Sequence, residues 1–110
     1  RRGSQAIEEP DVEAGYADAI SEFYEAVDAP LYYGLRSPQR LFIEAMAVEE
    51  NKPTRMADVI ERCDRTQSWA SKYRASLIRE RVIEAAGYGL VRFTVPMLGE
   101  YIRDRVLWHE

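Results

Sequence analysis

Apolar residues recur at intervals of three and four along most of the chain, which predicts a mainly helical protein. The first stripe consists of Val12, Tyr16, Ala19, Ile20, Phe23, Tyr24 and Val27. Acidic residues fill the opposite face, and Asp11 is a suitable N-cap. We therefore predict an N-terminal helix over residues 11–28, ended by Pro30. Residues 1–10 carry few apolar side chains, so we expect a disordered lead-in or a tag remnant there.

The next stretch predicts a connector and a second helix. Residues 31–36 are short and apolar, and we expect them to link two helices while packing on the core. Ser37 followed by Pro38 is a strong helix start, because serine caps an N-terminus and proline fits the first turn. The predicted helix runs to about Glu50, and Pro53 lies beyond its end.

Residues 54–81 predict two helices joined by a tight turn. The first covers residues 54–63, which have one apolar and one polar face, and Asp64 and Arg65 interrupt that pattern. Thr66 then opens a longer helix. Three large apolar residues, four apart, form a stripe on this second helix and are expected to face the core: Trp69, Tyr73 and Leu77.

A hairpin and a last helix complete the pattern. Val91, Phe93 and Val95 alternate with polar residues at strand period, and Gly87 and Gly89 can supply the positive φ of a turn. A last helix is expected to open at Pro96.

Helix, turn, helix and hairpin is the order of a winged helix-turn-helix, which most often lays its second helix on DNA. The predicted fold class is therefore mainly α with a small β-hairpin. We expect a winged-helix domain over residues 29–110, preceded by the N-terminal helix and closed by a C-terminal helix.

Composition limits the alternatives. A hydrophobic share of 46% with 31% charged residues is typical of one globular domain. No apolar run approaches the length of a membrane span, and no signal-peptide pattern precedes the fold, so we expect no membrane partner. The single cysteine, Cys63, lies on an apolar helix face and is expected to be a small buried hydrophobe. A lone thiol suits a reducing cytoplasm, which is the compartment that we expect.

The sequence offers little for catalysis. Its only histidine, His109, has no second histidine or cysteine pattern with which to bind a metal. No phosphate-cradling Gly-x-x-x-x-Gly-Lys motif is present. We therefore predict that this chain is not an enzyme and that it carries no cofactor or metal.

The charge is unevenly distributed along the chain. The net charge is −4, yet residues 1–50 carry 4 basic and 11 acidic groups whereas residues 62–81 carry 6 basic and 2 acidic groups. The basic excess thus coincides with the second helix of the pair, where a phosphate-facing surface would require it.

The polar face of that helix mixes small residues with longer basic ones, which allows close entry into a major groove. We predict double-stranded DNA as a partner, contacted by Gln67, Ser68, Ser71, Lys72, Arg74, Arg79 and, from the hairpin, Arg92. Glutamine pairs well with adenine, and the basic residues are suited to phosphates. The alternative is a solvated helix face whose charges only keep the protein soluble.

Five segments carry a family resemblance: Leu-Arg-Ser-Pro-Gln-Arg-Leu at 35–41, Met-Ala-Asp-Val-Ile at 56–60, Ser-Lys-Tyr-Arg-Ala-Ser-Leu at 71–77, Val-Ile at 82–83 and Gly-Tyr-Gly-Leu-Val-Arg-Phe-Thr-Val-Pro at 87–96. Together they resemble the C-terminal winged-helix domain of prokaryotic AAA-type ATPases, which include relatives of the archaeal origin-recognition ATPases. The last segment, followed by a helix with Tyr101 and Ile102, is the most characteristic.

The resemblance covers roughly residues 12–106 and implies an accessory domain of a larger, ATP-binding protein whose nucleotide-binding parts lie upstream. It implies that the domain binds DNA or docks on the ATPase core or on a protein partner. It also implies that Tyr88 lies at the tip of the wing.

Two other interpretations remain open. The acidic N-terminal helix and the sparsely basic wing fit a protein-interaction module that does not bind DNA, and this interpretation predicts an apolar patch around Tyr32, Tyr33 or Trp108. A homodimer formed through the helices at 12–28 and 96–108 is the third interpretation.

Overall fold

The computed structural model describes residues 18–49 and 52–107. These residues form a mainly helical protein with a small three-stranded antiparallel sheet. The lead-in predicted at 1–10, the proposed cap Asp11, and Trp108 and His109 lie outside the described residues. None of the described helices has the length and apolar character needed to cross a membrane.

The first helix continues beyond its predicted end. Helical residues 18–23 pass into a π-helical turn, Tyr24–Asp28, and then into helix α1, Ala29–Gly34. The prediction that Pro30 ends the helix, with a connector to follow, is therefore wrong. Proline removes one N–H and crowds the carbonyl four residues earlier, and a wider π turn directly before it reduces that crowding.

Helix α2, Ser37–Ala47, starts where the sequence predicts but is capped differently. Arg36 is the N-cap, and its backbone N–H donates to the Gln39 Oε1 atom over 3.0 Å. Ser37 is thus the first helical residue and not the cap. The helix ends at Ala47, before the predicted end near Glu50.

A short strand, β1, precedes the next helix and was not predicted. It consists of Thr54–Arg55, and the Thr54 hydroxyl donates to the carbonyl oxygen of Met46 over 3.3 Å. Helix α3 covers Met56–Cys63 and therefore begins two residues after its predicted start. The interpretation of Thr54 as a helix start is wrong because this residue is committed to the sheet.

Helix α4, Gln67–Arg79, follows a turn with the predicted chemistry. Asp64 adopts a left-handed conformation with φ of 56°, which ends α3. The Thr66 hydroxyl accepts a hydrogen bond from the Trp69 backbone N–H over 3.1 Å, which confirms Thr66 as the cap of α4. The helix stops at Arg79 and not at the predicted residue 81.

Strands β2, Ile83–Gly87, and β3, Leu90–Phe93, form the predicted hairpin, with Tyr88 in the turn. Gly87 and Gly89 take φ values of 138° and 68°, as a turn of this kind requires. Strand β3 lies in the centre of the sheet, because β1 pairs with it on one side and β2 on the other.

The end of the chain is also shifted relative to the prediction. Strand β3 stops at Phe93 and does not reach Val95. Helix α5 covers Leu98–Ile102, so it opens two residues after Pro96, and a π-helical turn, Arg103–Leu107, follows it.

The core lies where α2, α3 and α4 meet the sheet and α5. Its fully buried side chains include Phe42, Ile43, Val59, Leu77, Val91, Leu98 and Ile102. Cys63 is also buried, which confirms its interpretation as a small hydrophobe, and burial raises the pKa of its thiol. A polar link crosses the core from α2 to α4, since the Gln39 amide donates to the Ser76 hydroxyl over 2.7 Å.

Asp28 is an exception to the usual pairing of buried polar groups. Its side chain is fully buried, and neither carboxylate oxygen has a hydrogen-bond partner among the described residues. Burial raises the pKa of the Asp28 carboxyl to about 6, and the negative charge of Glu100 adds to this shift. The folded protein therefore holds this proton to a higher pH than the unfolded chain does.

Replacing Leu77 by alanine should lower the free energy of unfolding by about 2–5 kcal/mol, because the leucine side chain is fully buried on α4. Urea denaturation followed by circular dichroism measures this loss. Val48→Ala is the control, since Val48 is 54% exposed and should change stability by less than about 0.5 kcal/mol. Equal effects of the two substitutions would contradict the assignment of Leu77 to the core.

Asp28→Asn should change the pH dependence of stability. The folded protein holds its proton up to about pH 6, whereas the unfolded chain releases it near its usual pKa of 3.8. The wild-type protein therefore loses stability as the pH rises through this window, and the asparagine variant lacks that loss. The stability of the variant relative to the wild type should rise between pH 4 and pH 7, as measured by denaturant melts. A difference that stays constant with pH would show that Asp28 keeps its ordinary pKa.

Candidate functional site

Helix α4 presents one face to solvent and one to the core. The exposed residues are Gln67, Ser68, Ser71, Lys72, Ala75 and Arg79, and Arg74 lies half-buried at the margin. Ala70 and Leu77 are fully buried, and Trp69 and Tyr73 are half-buried. The predicted orientation of the helix is therefore confirmed, and six of the seven residues proposed to bind DNA lie on this one element.

The exposed residues are ordered by size across the face. At about 100° per residue, Ser71, Ala75 and Ser68 occupy the middle. Lys72 and Arg79 lie along one edge, and Gln67 and Arg74 lie along the other. Small side chains in the middle of the face allow the helix to approach a groove closely. The long basic side chains at its edges can then reach the phosphates on both sides of the groove.

The basic residues of this face have no ion-pair partner within the part of the chain that the structure describes. The ion pairs formed among the described residues involve Lys52, Arg55, Arg62 and Arg92, and none involves Lys72, Arg74 or Arg79. Arg62, which belongs to the basic segment of the sequence, instead pairs with Glu49 over 2.8 Å.

Two cations of this region lie over aromatic rings. The Arg65 guanidinium is 5.8 Å from the centre of the Trp69 ring, and the Lys72 ammonium is 5.3 Å from the centre of the Tyr73 ring. Sequence reasoning placed Arg65 only in the turn and missed this contact. A signal was present for Arg65, because it precedes Trp69 by four residues. The contact between Lys72 and Tyr73 had no such signal, because adjacent residues of a helix do not normally face each other.

The hairpin contributes less charge than its sequence implies. Arg92 is exposed on β3, but it lies directly opposite Glu84 on β2 and forms an ion pair with it. The contact reduces the positive charge that Arg92 can offer to a phosphate. Tyr88 is fully exposed at the tip, and the carbonyl of Gly89 accepts a hydrogen bond from the Met56 N–H over 2.9 Å, which fixes the hairpin against the start of α3.

A cavity of about 340 Å³ lies on another part of the molecule, between the end of α2, strand β3 and α5. Its wall includes Arg103, whose guanidinium donates to the carbonyl oxygens of Ala47 and Glu49 over 2.9 and 3.0 Å. The Arg103 guanidinium therefore caps the C-terminal end of α2 and joins it to the π-helical turn at 103–107. Within residues 18–49 and 52–107, His, Cys, Asp and Glu side chains form no group of three that could hold a metal ion.

Comparisons with known proteins give one match. No curated protein and no solved structure matched the chain significantly. One family model matches residues 29–102, which extend from the start of α1 to the end of α5 and include α4 and the whole sheet. The chain therefore belongs to the family described as Domain of unknown function (DUF8462).

Proposed function

We propose that this chain is a winged-helix domain that binds double-stranded DNA by placing α4 in the major groove. The exposed face of α4 carries the proposal, because its unpaired cations flank a centre of small residues. A major groove is wide enough to admit one helix, and its edges are lined by phosphates. Small central side chains allow the helix backbone to come close to the bases.

The arrangement of the strands supports the winged-helix part of the proposal. Helices α3 and α4 are separated by three residues, and the β2–β3 hairpin follows directly. Strand β1 leads into α3 and pairs with β3, so the two helices and the hairpin are held together as one unit. A hairpin fixed beside a helix pair is the feature that gives a winged helix its second point of contact with DNA.

The distribution of charge supports the choice of α4 as the contact. The net charge of −4 disfavours DNA binding by most of the surface. Acidic residues such as Asp18, Glu22 and Glu25 are exposed on the first helix, which would be repelled by phosphates. The local excess of positive charge on α4 would therefore select the orientation in which the protein meets DNA.

The wing is expected to add little to the affinity, because Arg92 already pairs with Glu84. Binding would then depend on the three cations of α4, Lys72, Arg74 and Arg79. With three phosphate contacts, the logarithm of the affinity should fall with the logarithm of the salt concentration at a slope of about −3.

We also propose that the domain acts within a larger protein. The resemblance to the C-terminal winged-helix domains of prokaryotic AAA-type ATPases supports this step. The ATPase core would supply nucleotide hydrolysis in the cytoplasm, and the present domain would hold the DNA or the core itself.

Docking on a protein is the second candidate function, and one observation favours it. Tyr33 is 65% exposed on α1, although its ring lies 4.9 Å from that of the buried Tyr32. Exposed tyrosines on a rigid helix are common anchors of protein interfaces. Tyr33 thus fits the predicted apolar patch, whereas Tyr32 belongs to the core. The same surface would serve a homodimer formed through the first helix.

Lys72→Glu should weaken binding to every duplex sequence and change the salt slope from about −3 to about −2, because one phosphate contact is lost. Fluorescence anisotropy of a labelled duplex at several salt concentrations measures both effects. Lys52→Glu is the matched control. Lys52 is also exposed to solvent but lies outside α4, and its substitution changes the net charge by the same amount.

Combining Lys72→Glu with Arg74→Glu should bring the slope to about −1. An unchanged affinity in this double variant would refute the DNA proposal. Absence of duplex binding by the wild type at low salt would also refute it and would leave docking. Docking would then be tested by Tyr33→Ser, which should abolish capture of the ATPase core by this domain.

A further inference from the structure

We propose that Arg65, Trp69, Lys72 and Tyr73 form a cation–aromatic ledge that binds the phosphate backbone of one DNA strand along one edge of α4. This inference rests on the proposed DNA-binding function. It specifies which side chains of α4 contact the phosphates of each DNA strand. The ledge adds Arg65 and the two aromatic rings to the residues that the sequence predicts. With Arg65 as a fourth phosphate contact, the salt slope expected for the wild type becomes about −3.6.

Arg65 is held in place from two sides. Its guanidinium lies over the Trp69 ring, and its Nη1 atom is 3.4 Å from the carbonyl oxygens of both Cys63 and Asp64. The hydrogen bond from the Trp69 N–H to the Thr66 hydroxyl fixes the first turn of α4, on which the ring is mounted. The position of the cation is therefore set by the turn between α3 and α4.

The rings beneath the cations are anchored in the core. The Trp69 ring stacks on the ring of the fully buried Phe42, with 6.3 Å between ring centres and 26° between planes. The Tyr73 ring lies 5.2 Å from the Trp69 ring and carries the Lys72 ammonium. Two flexible basic side chains thus rest on a rigid surface, so less conformational entropy would be lost when they bind a ligand.

A cation that lies over an aromatic ring can still bind a phosphate, whereas a cation in an ion pair is less able to do so. A ring attracts the cation through its face but does not use up its N–H donors or cancel its full charge. The ion pair between Arg92 and Glu84 instead occupies the Nε donor of Arg92 and offsets its positive charge. Arg65 and Lys72 therefore keep donors for phosphate oxygens, which are the strongest acceptors on nucleic acid.

The same geometry argues against a stacked base as the occupant. Bases bind to aromatic side chains through a free ring face. The Trp69 ring is contacted by Phe42, Tyr73 and Arg65 together, and the Tyr73 ring is covered by Lys72. An anion meeting the outer side of the two cations disturbs none of these contacts.

The ledge makes the two edges of α4 different. Lys72 lies on the edge opposite Arg74 when the helix is viewed along its axis. One strand of the groove would meet the ring-seated cations of the ledge, and the other would meet Arg74. The contribution of the ledge should thus be separable from that of Arg74.

The experiment compares Arg65→Gln, Lys72→Gln and Trp69→Leu by anisotropy of a labelled 20-base-pair duplex over a salt series, with circular dichroism of each variant. Each loss of a cation should reduce the magnitude of the slope by about 0.9. Trp69→Leu should leave the slope unchanged and weaken binding about two- to fivefold, because it removes the seat of Arg65 and no charge. If Trp69→Leu unfolds, Tyr73→Leu replaces it and should weaken binding through Lys72 in the same way.

Arg105→Gln is the matched control, because this guanidinium also lies over a ring, that of Tyr24 at 5.0 Å, but belongs to the π-helical turn at 103–107. It should change neither affinity nor slope.

The outcomes separate the ledge from the proposed function. If Lys72→Gln and Arg74→Gln reduce the slope while Arg65→Gln leaves it unchanged and Trp69→Leu leaves the affinity unchanged, the ledge is wrong and the DNA proposal stands. Tighter binding of single-stranded DNA than of the duplex, lost in Trp69→Leu, would replace phosphate contact by base stacking and overturn the inference. If the wild type does not bind the duplex at low salt, the proposed function fails and the ledge fails with it.

Discussion

The pairing of β1 with β3 is the constraint on which the rest of the structure depends. Thr54 and Arg55 face Val91 and Leu90 across this pair, which joins the segment before α3 to a strand that follows α4. Thr54 is buried and also bonds to the end of α2. Two residues thus connect three parts of the chain. Without this pair, the hairpin would lose its backbone pairing with the segment that leads into α3.

A second set of contacts fixes the direction in which α4 presents its surface. The helix is packed through Ala70 and Leu77 and linked to α2 through Gln39 and Ser76, so its exposed face has a fixed direction. The same packing supports the Trp69 ring, which in turn supports Arg65. A cation at the surface is therefore positioned by contacts that extend into the core. Preorganisation of this kind lowers the conformational entropy that a bound partner would have to offset.

Much of α4 could be predicted from the sequence, and the reasons are local. Three large residues four apart determine which face is buried, and Asp64 and Thr66 mark the turn before the helix. The existence of β1 could not be predicted, because two residues carry no periodicity and depend on a partner almost forty positions away. The neutralisation of Arg92 by Glu84 was missed for a similar reason, since it depends on the register between two strands. The prediction that Pro30 ends the first helix was wrong because proline breaks a helix when the preceding turn is a regular α turn. Here the preceding turn is π-helical.

The buried carboxyl of Asp28 has a consequence for how the molecule responds to pH. It lies at the end of the π-helical turn that packs beside α5, where the Tyr24 hydroxyl donates to Asp104 and the Tyr24 ring meets the edge of Tyr101. Near neutral pH, an ionised group without a partner opposes this packing from the inside. Ionisation of Asp28 therefore weakens the packing of the first helix against α5. The basic face of α4 is held by other contacts, among them the hydrogen bond between Gln39 and Ser76, so the two ends of the molecule respond differently to pH.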